Sequence, residues 1–329
     1  MKKIMFSSVL LMLTLITFAG KKVRVGLSID NILTDRWVVE VKIIEDGIRA
    51  RGGEVFVKTA LGRYAHQQEQ VQELIHTHKI DVLILVPVDK VKSASLVRYA
   101  QEEGVRVITY SRSVEGVKAN AMISFAPKEI GKKQAHYVAG KTKIGNVILL
   151  GGPLSDFNTL QIEAGQKEVF KNSPEIILHT TNVSSWSKMK AYKEMQRLHE
   201  SGLDSVEAII TGNDLLAQGV IEYLEEHHIK GVIVVGLDAE LGACRRITEG
   251  KQAMTIYLDI HKSANCAVAV AMNLGLKHPH HTVHLQGIKK EYIDGVETYL
   301  VSSTVISEEN LAEKIDELHI YTHREVFGN

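Results

Sequence analysis

The chain has 329 residues, 45% of them hydrophobic and 24% charged, which can bury a sizeable core and suggests about two domains. Lysine plus arginine equals aspartate plus glutamate at 39 each, so nothing in the charge favours nucleic acid or an anionic membrane as partner. With only 5 prolines and no low-complexity run, no long disordered linker is expected.

In chain order, Lys2 and Lys3 precede the apolar run Ile4 to Phe18, broken only by Ser7, Ser8 and Thr14. That pattern, closed by Thr17-Phe18-Ala19, predicts a secretory signal over residues 1–20, cleaved or retained as an anchor. It is shorter than the roughly 20 apolar residues of a comfortable membrane span. Either outcome places the rest of the chain outside the cytoplasm. No cysteine stands near the cleavage site for a lipid anchor. Cys244 and Cys266, the only two, fall in apolar helical patterns and are expected as buried thiols.

From Val23 onward, short β-rich runs alternate with longer amphipathic stretches. Strands are expected at 23–29, 54–58, 81–86, 105–110, 146–150, 176–181, 206–211, 232–236 and 253–257. Val82-Leu83-Ile84-Leu85-Val86 is continuously apolar, as in a parallel strand covered on both faces. Helical patterns lie between, at 37–51, 67–78, 93–103, 188–201 and 215–227. Gly52, Gly104, Gly202 and Gly231 follow helical stretches, where a C-terminal turn favours glycine. The alternation predicts an α/β fold with parallel sheets. One series ends near residue 112 and a second begins near Met122, which suggests two Rossmann-like lobes over a closed eight-fold barrel. The tail reads as short edge strands at 284–286, 290–292 and 298–301.

In open parallel sheets the ligand crevice lies beyond the carboxyl ends of the strands. There the sequence places Asp30, Asn31, Asp35, Arg36 and Trp37, then Ser111 and Arg112. Gly151, Gly152, Asp156 and Asn158 follow, then Trp186, Asn213, Asp214 and Asp238. Planar polar groups and the chain's two indoles gather at strand ends, with no reactive set among them. Such a mixture suits a sugar. A pyranose lays its apolar faces on an indole, and Arg, Asn and Asp span neighbouring hydroxyls. For each residue singly the competing reading is a helix cap, a surface ion pair or a core side chain.

The same stretches carry a family resemblance. Asp35-Arg36-Trp37, Tyr110-Ser111-Arg112, Gly151-Gly152, Asn158, Ala164-Gly165-Gln166 and Ser185-Trp186 occur in order. Gly212-Asn213-Asp214, Gly236-Leu237-Asp238-Ala239 and Met254-Thr255-Ile256-Tyr257 follow. In this the chain resembles the type I periplasmic binding proteins, and within them the xylose-binding subgroup, across residues 23 to about 305. The resemblance implies a pentose site in which Arg36, Arg112, Asn158, Asn213 and Asp238 bond hydroxyls while Trp37 and Trp186 sandwich the ring. Ser111 completes the expected ligand-binding set. It also implies three hinge crossings, near residues 113, 258 and 288. The expected lobes are thus 21–112 with 258–288, and 113–257 with 289–329. Three positions depart from the subgroup: Ser111 stands for Asp, Glu163 for Arg and Leu258 for Lys.

Other chemistries find little footing. Lys277-His278-Pro279-His280-His281, with His284, has the look of a metal-binding tract, but it lacks a neighbouring carboxylate and reads as a solvated loop. Gly151-Gly152-Pro153 lacks the ending of a phosphate loop, no dinucleotide fingerprint follows the first strand, and no esterase elbow or zinc-helix motif appears. The sequence therefore predicts a monosaccharide-binding protein, not an enzyme, with neither cofactor nor metal. It would close about a hinge and present the closed form to an ABC permease or a sensor histidine kinase. A sugar-responsive repressor would need a helix-turn-helix where the signal segment stands.

Overall fold

The computed structural model describes residues 22–32, 35–203, 205–276 and 285–328. The signal segment and the histidine tract lie outside the described residues.

The chain alternates as expected. It begins β1 (Arg24–Ile29), α1 (Asp35–Ala50), β2 (Glu54–Thr59), α2 (Tyr64–His76), β3 (Val82–Leu85), α3 (Ala94–Glu102), β4 (Arg106–Tyr110) and β5 (Ala121–Ser124). It continues α4 (Pro127–Lys141), β6 (Gly145–Gly151), α5 (Phe157–Phe170), β7 (Ile176–Asn182), α6 (Lys188–Glu200), β8 (Ala208–Thr211), α7 (Asp214–Glu226), β9 (Ile233–Val235) and α8 (Leu241–Thr248). The remainder is β10 (Met254–Leu258), α9 (Ile260–Leu274), β11 (Ile288–Ile293), β12 (Val296–Val301), β13 (Ser303–Ser307), α10 (Leu311–Leu318) and α11 (His323–Phe327). Gly52, Gly104 and Gly202 take positive φ, as the turns after α1, α3 and α6 demand; after α7 that position is held by His228, at φ +56°, and Gly231, also at positive φ, lies further along the loop.

Two sheets result. The first has the order β11-β12-β5-β4-β3-β1-β2, the second β13-β10-β9-β8-β6-β7. Pairing is parallel except for β11 on β12 and β13 on β10. All four residues of β3 are buried, which explains their unbroken apolar run. Each such side chain is worth about 1.5–3 kcal/mol relative to exposure. Cys244 and Cys266 are buried free thiols.

The expected lobe boundaries need correction at two of three points. Residues 113–120 loop out and return: Asn120 N donates to Val107 O, and β5 then pairs with β4 through Ile108–Ala121. The first crossing therefore falls at Phe125–Ala126, after which α4 packs along α5 of the second lobe. At Leu258 the chain leaves the second sheet, and α9 packs on α1 in the first lobe. β12 then pairs in parallel with β5, so residues 288–301 also belong to the first sheet, and the third crossing falls at Ser302. Of the tail, Leu285 and Gln286 are not in a strand.

Candidate functional site

The first lobe supplies one wall of the cleft from the ends of β1 and β4. Trp37, in the first turn of α1, is 8% exposed and meets Tyr110 edge-on at 6.3 Å between ring centroids. The Arg36 guanidinium lies 4.7 Å from the Trp37 ring centroid and 5.1 Å from that of Phe125. Arg36 is already held on three sides: Nε donates to Glu40 Oε2 at 3.2 Å, Nη2 to Ser111 Oγ at 2.8 Å and Nη1 to Asp238 Oδ1 at 3.3 Å. Glu40 is buried behind it and accepts from Tyr110 Oη at 2.8 Å. Burial raises the Glu40 carboxyl above its ordinary range, against the pull of Arg36. Arg112 donates through Nη1 to Asp30 Oδ2 at 2.6 Å and pairs through Nε with Asp156 Oδ2 at 2.7 Å, across the lobes.

The second lobe supplies the opposite wall from the ends of β6, β7, β8 and β9. Asp156 caps α5 by accepting from Asn158 N at 2.9 Å, and its Oδ2 also receives Trp186 Nε1 at 3.2 Å. One buried carboxylate thus aligns a helix, an indole and an arginine from the other lobe. Asn158 Nδ2 donates to Ser111 O at 3.0 Å, while its Oδ1 is buried without a partner, an acceptor suited to a ligand hydroxyl. The Trp186 ring lies on Gly152 and Gly212; a Cβ at Gly152 would sit 2.1 Å from the ring, so glycine there is a steric requirement. Asn213 Oδ1 caps α7 by accepting from Leu216 N at 3.0 Å, which leaves the Nδ2 group as the donor available to a ligand.

Asp238 stands on a strained turn, with φ of +103° followed by +51° at Ala239. Asp214 holds that turn from below. Its carboxylate accepts from Gln252 Nε2 at 2.7 Å, Thr255 Oγ1 at 2.8 Å and Glu240 N at 3.0 Å. Thr255 Oγ1 in turn accepts from Ala239 N at 3.1 Å. Burial, and then the Asp238 charge, push the Asp214 carboxyl up to about 7.

The two walls enclose a cavity of about 740 Å³, counting the solvent at its mouth. Arg36, Trp37, Ser111, Arg112, Asn158, Trp186, Asn213 and Asp238 all line it, so the structure brings the whole expected set together. Sequence reasoning under-weighted Asp156 and Asn31, which it named only as neighbours of strand ends. It missed Phe125, Pro127, Ile130, Ile162, Leu215 and Leu237, whose apolar character gives no signal separating cavity from core. Of the three departures, Leu258 faces the cavity and Ser111 takes a hydrogen bond from Arg36. Glu163 pairs with Lys167 at 2.5 Å and borders an adjoining pocket beside Trp186. Among the described residues no cluster of three or more potential metal ligands occurs.

A hinged pair of parallel-sheet lobes with polar strand ends facing one cleft is the architecture of an enclosing solute-binding protein. Residues 25–277 match the family model for a periplasmic binding protein domain, and the chain belongs to that family. Membership makes it a binding protein and not an enzyme. The chain is similar to the D-xylose-binding periplasmic protein of Escherichia coli, at 30% identity over 270 residues, covering 80% of this chain and 82% of that one. The protein of the same name from Haemophilus influenzae is 28% identical over 313 residues, covering 94% and 93%. The ribose import binding protein RbsB of Bacillus subtilis is 25% identical, covering 72% and 76%. Among solved structures, an ABC transporter solute-binding protein from Clostridium phytofermentans with bound β-D-glucose superposes with a TM-score of 0.81 at 21% identity, covering 92% and 99%. At that identity the likeness speaks to the fold.

Proposed function

We propose that this chain is an extracytoplasmic monosaccharide-binding protein whose ligand is D-xylose or a similar pentose. The observation that carries the reading is the convergence of both indoles with two arginines, two asparagines and Asp238 on one inter-lobe cavity. Trp37 and Trp186 take the ring faces. Arg36, Ser111, Arg112, Asn158, Asn213 and Asp238 take the hydroxyls, each buried bond to a charged group being worth about 1.5–3 kcal/mol. Closure follows because the ligand touches both lobes and so favours the state in which both walls reach it. The xylose-binding relatives support the pentose assignment. The RbsB relative is named for import, which favours an ABC permease as the partner over a sensor histidine kinase.

A thermal-shift panel of pentoses and hexoses on residues 21–329 tests the reading. A sugar at 100 times its Kd adds about 2.7 kcal/mol of stability. Xylose is expected to stabilise, and Trp186→Ala and Arg112→Ala are each expected to weaken binding at least tenfold with far-UV dichroism unchanged. No shift with xylose, ribose, arabinose, glucose or galactose would remove the proposal.

A further inference from the structure

Helix α4 carries a polar side chain that governs the cleft from behind it. Gln134 is fully buried, midway along the helix that begins directly after the first crossing. Its Nε2 group donates to Thr211 O and to Gly236 O, each at 3.1 Å, and its Oε1 accepts from Gln166 Nε2 of α5 at 2.8 Å. Both amide hydrogens are thus used, and the two carbonyls fix the sense of the amide, since an oxygen cannot face them. The helices that carry the two glutamines touch backbone to backbone. A Cβ at Gly131 would lie 2.0 Å from Ile162 O, and one at Gly165 would lie 2.0 Å from Lys128 O. The chain from Gln166 through Gln134 to the carbonyls is therefore held at one length.

The two carbonyls belong to the strands that deliver ligand-binding residues. β8 and β9 pair in register as far as Ile210 and Val235, and Thr211 O and Gly236 O are the next carbonyls along each strand. Thr211 lies two residues before Asn213, and Gly236 two residues before Asp238. Asn213 and Asp238 line the cleft. One amide, with a hydrogen on each strand, thus sets the separation at which these two residues reach the ligand. The same helix also grips the third crossing: Lys133 Nζ donates to Ser303 O at 2.6 Å and to Ser303 Oγ at 2.8 Å. We infer that Gln134 is a positioning residue for sugar binding, acting through Asn213 and Asp238 and tying their spacing to the hinge by way of α4. This rests on the monosaccharide reading above and adds to it a residue outside the cleft.

Calorimetric titration of the protein with xylose tests it. Gln134→Met nearly keeps the volume and leaves two buried carbonyls without their donor; it is expected to weaken binding about tenfold with far-UV dichroism unchanged. A mutant cycle separates positioning from a general loss of stability. Asn213→Ser keeps an oxygen to cap α7 but removes the Nδ2 donor. In that background Gln134→Met is expected to cost about threefold or less, because a group it positions is already gone, whereas with Ser111→Ala in the opposite wall it costs about tenfold again. Gln166→Met, which releases the amide without removing it, is the milder variant and is expected to weaken binding about threefold with the same dependence on Asn213. Affinity within about twofold of the unaltered protein in both glutamine variants, or a loss that multiplies equally in the Asn213→Ser and Ser111→Ala backgrounds, overturns the inference and leaves the sugar reading standing. An unaltered protein that binds neither pentose nor hexose overturns both.

Discussion

Asp214 shows how a residue that need not touch ligand can govern one that does. Its three accepted hydrogen bonds fix the turn that carries Asp238, and Gly236 has no side chain because a Cβ there would lie 2.0 Å from Asp214 Oδ1. With its carboxyl raised to about 7 by burial and by Asp238, and only partly relieved by the hydrogen bonds from Gln252 and Thr255 and by Arg246, Asp214 binds its proton more tightly folded than unfolded. Its contribution to stability is therefore fully present below the unfolded value near 4 and is lost as pH rises through about 7. The span corresponds to about 4 kcal/mol at most. Denaturant midpoints measured from pH 4 to 8 should fall across that window, and Asp214→Asn should flatten the fall. An unchanged profile in the variant would show that Asp214 is not the group responsible. At this scale much was legible, because strand ends in parallel sheets converge and the polar residues following each strand could be read directly. Leu258 and Phe125 were not legible, since an apolar side chain on a cavity wall is written like one in the core.

The helix termini do the positioning. Asp156 caps α5, braces Trp186 and pairs with Arg112, so Asp156→Ala removes all three supports. A lost cap alone costs about 1 kcal/mol. With Arg112 left to Asp30, a total loss of about 1–3 kcal/mol is expected by chemical denaturation, together with weaker sugar binding. Full stability in that variant would show that α5 does not depend on its cap. The long strands were readable because burial on both faces leaves a continuous apolar run. β5 was not, at four residues, since its membership of the first sheet is decided by pairing with β4 and β12 and by nothing local. Likewise β12 and β13 are separated only by Ser302, yet they belong to different sheets. Local pattern gave strand character to β12 but not to β13, and long-range pairing decides the lobe of each.

Across the whole molecule, the lobes meet through bonds that cross the cleft: Arg36 to Asp238, Arg112 to Asp156, Asn158 to Ser111 O, and Lys90 N to Ser155 O at 2.9 Å. A sugar bound between them joins the same network, so occupancy and lobe closure are one equilibrium. The chain's only tryptophans, Trp37 and Trp186, both line this cavity, which makes their fluorescence a direct report of whether sugar enters it. Titration with xylose should give a saturable change in tryptophan emission with one sugar per chain, and Trp186→Phe should cut both the amplitude and the affinity. Calorimetric binding of xylose with no change in emission would place the sugar elsewhere and contradict the account.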